Sequence, residues 1–183
     1  MSLLAWNWSI FWYDISIEIF GSLVFLFGIL IVFRPWVSIS PFLCKNQSEF
    51  QNEGTMYFLK IVNKSLFTAY DIEVELAVLQ RRPTPPSGMT NVRMVPLNLV
   101  YNSHSYLPGY RPRWIRKDAA HCLRFRTKEN LDSIILDDFK SVRVQVTLKH
   151  GLTGLVKVFT NEYSDIQEIR EGRFSYGTKF GVI

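Results

Sequence analysis

Two hydrophobic patterns divide this chain. From Ile15 to Phe33, nineteen residues run almost without interruption in apolar or small side chains, Glu18 being the one charge among them. In a helix such a run rises roughly 28 Å, close to the ~30 Å hydrocarbon core of a bilayer, so the segment predicts a transmembrane helix. Beyond Gly54 the pattern changes to a period of two. Tyr70, Ile72, Val74, Leu76 and Val78 alternate with Asp71, Glu73, Glu75 and Ala77, and Val142, Val144, Val146 and Leu148 alternate with Arg143, Gln145, Thr147 and Lys149. Alternation of this kind puts apolar side chains on one face of a strand and polar ones on the other.

Further strands are predicted at Thr55 to Val62, Met94 to Val100, His121 to Arg126, Val156 to Phe159 and Phe174 to Val182. The glycines of His150-Gly151-Leu152-Thr153-Gly154 suit a hairpin turn. Arg81 to Gly88 reads as a loop, because its clustered prolines cannot donate to a sheet. About seven short strands and no long helical period after Phe42 predict a mainly β protein, an immunoglobulin-like β-sandwich carried on one N-terminal transmembrane helix. The expected division is 1–36 for an outer aromatic segment and the helix, 37–54 for a polar connector, and 55–183 for the sandwich domain.

Charge gives this arrangement a direction. None of the 21 lysines and arginines precedes Arg34. Loops rich in Lys and Arg stay on the cytoplasmic side, so the expected topology is N-terminus outside and sandwich inside, in a bacterial inner membrane. Trp6, Trp8, Trp12 and Tyr13 would lie at the outer interface and Trp36 at the inner one. A cleaved signal peptide would need a basic n-region and a small-residue cleavage site, and the sequence has neither. Residues 1–33 carry only Asp14 and Glu18, so the net charge of +5 comes from a remainder of +7. Such a domain suits anionic partners: inner-leaflet lipid, nucleotide or nucleic acid. Cys44 and Cys122 are expected as free thiols in that compartment.

Particular residues suggest a family. Met56 to Asn63, followed by Ala69 to Leu76, resembles the opening strands of the cytoplasmic domain of inward-rectifier potassium channels. Asp138-Phe139-Lys140-Ser141-Val142-Arg143-Val144, then Leu152-Thr153-Gly154, Tyr163 and Ile169-Arg170-Glu171-Gly172-Arg173-Phe174, is similar to the same domain's later strands and its close. The likeness spans about Thr55 to Ile183. It implies a sandwich, a tetramer around a central axis and a cytoplasmic sensor coupled to the membrane segment. The family's second membrane helix, pore loop and selectivity filter have no counterpart here, so potassium selectivity is not implied.

Two groups of residues are candidates for function. At 100° per residue, Asp14, Glu18, Ser22 and Phe25 share one side of the helix with Gly21 and Gly28. An intramembrane carboxylate is better placed against protein or water than lipid, and small residues allow close helix approach. In an oligomer these four would line a pore, the acids favouring cations and Phe25 narrowing the path; as an ordinary anchor, the helix would leave both acids in the headgroup zone. The second group is Tyr110, Arg111, Arg113, Trp114, Arg116 and Lys117, where guanidinium groups to pair with phosphate are interleaved with rings to stack on a base. A solvated loop touching lipid is the alternative.

No catalytic constellation, metal spacing or phosphate-cradling glycine loop is present, and neither an enzyme nor a cofactor is expected. The expected function is a single-pass, channel-like homo-oligomer whose sandwich senses a nucleotide or oligonucleotide and controls membrane permeability. Small anchored sensors of this design resemble membrane effectors of antiphage abortive infection. The alternative is a non-conducting anchored module that recruits a protein or lipid partner. Single cysteines at Ser2 and Ser164 test the topology: an impermeant thiol reagent on intact cells should modify only the first. Modification of the second would reverse the orientation.

Overall fold

A computed structural model describes residues 2–32, 36–47, 54–84, 89–112 and 119–183. They form two compact units, divided after Arg34. The first is one helix, α1 (Ser2–Val32), of 31 residues, about 46 Å at 1.5 Å per residue. Its stretch from Ile10 to Ile29 is long and apolar enough to cross a membrane. The described side chains around it are exposed, apart from the half-buried Ile15 and Ile29. Ser16 Oγ donates a hydrogen bond to the Trp12 carbonyl at 2.7 Å, which satisfies the hydroxyl within the helix.

The second unit is a β-sandwich. Its strands in chain order are β1 (Val37–Ile39), β2 (Leu43–Gln47), β3 (Thr55–Asn63), β4 (Ala69–Thr84), β5 (Met89–Leu97), β6 (Ser103–Leu107), β7 (Cys122–Thr127), β8 (Lys140–His150), β9 (Val156–Tyr163) and β10 (Ile169–Glu171), with a short helix α2 (Leu131–Ile135) between β7 and β8. In the first sheet β3 is central. It pairs with β7 along one edge and with β1 and β2, end to end, along the other, while β10 adds parallel to β2. In the second sheet β4 pairs with β8 on one side and with β5 and β6 in succession on the other, and β9 closes the edge beyond β8.

The core lies between the sheets. Tyr57, Leu59, Ile61 and Phe125 of the first sheet pack with Ile72, Val74, Leu76, Val142, Val144, Val146 and Leu148 of the second. Leu131 and Ile135, one helical turn apart on α2, are buried in the same cluster. Asn130 caps α2 by accepting from the Ser133 amide at 3.3 Å, which fixes that turn. The alternation read from Ile72 to Leu76 and from Val142 to Leu148 is therefore the inner face of each strand.

Four expectations are corrected. The stretch 37–54, read as a polar connector, carries β1 and β2, so the sandwich begins at Val37. Pro41 interrupts what would otherwise be one strand, and each half is too short to show a period. Tyr70 is exposed rather than inward, because Asp71 has a positive φ of 49° and the register with β8 shifts between Tyr70 and Glu73. Such a bulge adds a residue and moves the side chains before it out of phase. Arg81 to Thr84 belongs to β4, with Pro83 opposite Thr90; β8 pairs with β4 only as far as Gln80, so this proline sits where one edge is open. Residues 85–88 lie outside the described set. Lastly, Phe174 to Val182 is a folded-back hairpin rather than a strand, its arms bridged at Phe174 and Val182.

Val144 is fully buried and Glu75 exposed. Truncating Val144 to alanine should lower stability by about 1–3 kcal/mol through lost burial and a residual cavity, whereas Glu75→Ala should change it by less than about 0.5 kcal/mol. Thermal melts of the two variants check this, and equal shifts would contradict the assigned faces.

Candidate functional site

β3 is central to its sheet, and its two faces serve different purposes. The inner face, Tyr57, Leu59 and Ile61, enters the main core. The outer face carries Met56, Phe58, Lys60 and Val62. It is covered by the C-terminal hairpin, where Phe174, Phe180 and Val182 pack with Phe42, Cys44 and Phe58 in a second small core. The Phe42 and Phe174 rings stack with centroids 5.7 Å apart.

The hairpin is defined by its own bonds. Arg173 and Ile183 exchange two backbone hydrogen bonds of 2.9 Å, and Ser175 N donates to Gly181 O at 2.7 Å. Gly172, with φ +122°, begins it; a Cβ there would meet Ile183 O and Val182 Cγ1 at 2.7 Å, so no side chain fits.

Lys60 is the polar group at the centre of this arrangement. The residue is 2% exposed, and its Nζ donates to the carbonyls of Ser175 at 2.7 Å and Lys179 at 2.8 Å. Directly opposite on β7 stands Arg124. Cys122 Sγ donates to Gly177 O at 3.2 Å, and across β2 Arg170 lies 4.1 Å over the Phe42 ring. Among the described residues no carboxylate pairs with Lys60 or Arg124. Two cations opposite each other on neighbouring strands repel, and the buried ammonium, held by two neutral carbonyls and lying 5.9 Å from the centre of the Phe174 ring, has no carboxylate beside it.

The titration shifts follow from the same geometry. Burial lowers the Lys60 pKa, and Arg124 pushes it the same way. Burial lifts the Cys44 thiol to about 12, against the opposing pull of Arg170, Lys60 and Arg124. It raises Cys122 as well, again against Lys60 and Arg124. Both thiols are therefore protonated at neutral pH, and neither is an activated nucleophile.

A cavity of about 290 Å³ opens beside these groups. Lys60, Cys122 and Arg124 form its floor, Ala119 and Ala120 one wall, and the hairpin from Phe174 to Gly177 the other. Another basic hollow, of about 420 Å³, includes Arg81, Arg82, Lys140 and Asp137. There carboxylates meet part of the positive charge: Lys140 pairs with Asp137 at 2.8 Å, and Arg81 and Arg143 share Glu162. Burial alone would raise the Glu162 carboxyl, but the bonds from Ser141, Arg81 and Arg143 hold it low. The Lys60 cavity differs in that, among the described residues, no carboxylate pairs with either of its two cations.

Of the residues proposed from the sequence as ligand-binding, Tyr110 and Arg111 are described. Tyr110 N donates to Ser65 O at 2.7 Å, its ring stands edge-on to His121 at 5.4 Å, and Arg111 is exposed. Arg113, Trp114, Arg116 and Lys117 lie outside the described residues. The chain returns at Ala119, in the wall of the Lys60 cavity. The proposed pore residues Asp14, Glu18, Ser22 and Phe25 are exposed on α1. Among the described residues no group of three or more His, Cys, Asp or Glu could hold a metal.

Sequence reasoning missed Lys60, Arg170 and the covering hairpin. A signal for Lys60 was present: a single lysine amid Met56, Phe58 and Val62 on a strand whose other face is also apolar. A charge there calls for a lid.

No protein-family model and no curated protein matches this sequence. Among solved structures, the chain is similar to a Bordetella pertussis protein described as ApaA, with 10% identity and a TM-score of 0.36 over 70% of this chain and 91% of that one. It is also similar to the sporulation control protein Spo0M of Bacillus subtilis, with 14% identity and a TM-score of 0.39 over 74% of this chain and 49% of that one. Likenesses of this degree identify neither a family nor an activity.

Proposed function

We propose that this protein is a membrane-anchored sensor: its β-sandwich binds a nucleotide or oligonucleotide through phosphate in the Lys60–Arg124 cavity, and an oligomer of α1 helices controls membrane permeability in response. The observation that carries the reading is the unmatched charge of Lys60 and Arg124 at an open cavity. A phosphate supplies the missing counter-charge and accepts several charge-assisted hydrogen bonds at once.

The permeability step rests on α1. With the apolar stretch beginning at Ile10, Glu18 lies about 12 Å from its start by helical rise. A carboxylate at that depth is costly in lipid and favours an axis shared with other copies, most simply the tetramer that the channel resemblance suggests. Net positive charge after Arg34 orients the sandwich to the cytoplasm of a bacterial cell, and a role in antiphage defence follows by analogy of design. The reaction class is binding and gating, with no covalent chemistry.

Purified full-length chain tests this directly. Binding of a labelled single-stranded oligonucleotide should weaken with salt, at a log–log slope near −0.7 per phosphate engaged. Loss of two charged partners in Lys60→Met/Arg124→Gln should weaken it by about tenfold or more, each such hydrogen bond being worth about 1.5–3 kcal/mol. In liposomes the oligonucleotide should change cation flux, and Glu18→Gln should lower cation preference. Undiminished binding by the double variant would remove the cavity from the account. Binding without flux under either condition would replace the channel by the non-conducting anchored module.

A further inference from the structure

Tyr176 is 83% exposed, yet it lines the Lys60 cavity. An aromatic ring so exposed gains little from packing. The turn that carries it is nonetheless held firmly: Lys60 Nζ grips the carbonyls of Ser175 and Lys179 on either side, Cys122 grips Gly177 O, and Gly177, at φ +79°, makes the reversal. One buried ammonium therefore serves two ends. It presents a positive floor to the cavity and fixes the backbone that raises a ring at the rim.

From this arrangement we infer that the ligand is a single nucleotide unit, its phosphate on Lys60 and Arg124 and its base stacked on Tyr176. The inference deepens the phosphate-site reading above and rests on it. A lipid headgroup or a free phosphate would use the cationic floor and leave the ring idle, whereas every nucleobase has a π-face for it. The cavity volume of about 290 Å³ lies at the small end of the ~300–1,000 Å³ range of ligand pockets. That size suits one unit and excludes a run of several inside the cavity. Tyr176 is then the residue that selects a base-bearing phosphate over a bare one.

The experiment compares adenosine 5′-monophosphate with ribose 5-phosphate on the full chain in detergent, using wild type, Tyr176→Ala and Tyr176→Phe, by equilibrium dialysis. Base stacking of the usual strength gives the nucleotide an advantage of about fivefold or more. Tyr176→Ala should abolish that advantage while leaving ribose 5-phosphate binding unchanged, and Tyr176→Phe should retain it. A merely structural tyrosine would instead weaken both ligands together. Equal affinity of the two ligands for wild type, or an advantage that survives Tyr176→Ala, overturns the stacking role and leaves the phosphate site standing. An eight-nucleotide strand that binds more than tenfold tighter than the mononucleotide overturns the single-unit ligand. If neither small phosphate binds, the phosphate-site reading falls, and this inference with it.

Discussion

Burying the Lys60 ammonium is the constraint on which the C-terminal side of the β-sandwich depends. A charge removed from water is tolerated only when polar partners surround it, and here the partners are carbonyls supplied by the last dozen residues of the chain. The C-terminal hairpin thus does more than finish the fold. It packs on Phe42, Cys44 and Phe58, helps to bury the outer face of β3, and leaves the charge of Lys60 opposite Arg124 without a carboxylate among the described residues. An apolar residue at position 60 would seal the same face but leave the carbonyls of Ser175 and Lys179 without this donor, so the ammonium ties the hairpin down. Its charge, which no carboxylate meets among the described residues, is what the proposed phosphate would pair with.

The rest of the sandwich supplies rigidity for that arrangement. β3 is held along both edges, by β7 on one side and by β1 and β2 on the other, so the floor of the cavity is a sheet interior rather than a loop. The inner core presses on the opposite face of the same strand, and Lys60 cannot shift without disturbing Leu59 and Ile61. The walls, Ala119–Ala120 and the hairpin, are made of turns. A ligand would therefore meet a fixed cationic surface and a wall whose hold depends on Lys60 itself.

Much of the fold was legible in the sequence, because period-two alternation survives wherever one face of a strand meets the core and the other meets solvent. Ile72 to Leu76 and Val142 to Leu148 show it plainly. The pattern failed where the physics departs from that simple case. At Asp71 a bulge moves Tyr70 outward; β1 and β2 are too short for a period to emerge; the C-terminal hairpin buries aromatic side chains without extended pairing. The apolar run of α1 was legible from length alone. The candidate site was legible only in part. Tyr110 to Lys117 was chosen for density of charge and rings, and of its candidates only Tyr110 and Arg111 lie within the described residues. Lys60 escaped notice because its importance comes from burial, which alternation does not encode for a strand covered on both faces.

The central claim is that Lys60 is a charge awaiting a phosphate, and nitrogen NMR of the lysine side chains reads that group directly. In ¹⁵N-lysine-labelled full-length protein, titration with inorganic pyrophosphate is expected to move the Lys60 Nζ resonance saturably, with the signal identified by its loss in Lys60→Met. Surface lysines such as Lys149 should shift little over the same range. A Lys60 resonance that stays fixed while pyrophosphate perturbs other lysines would contradict the account, and would leave this ammonium as nothing more than the anchor of the C-terminal hairpin.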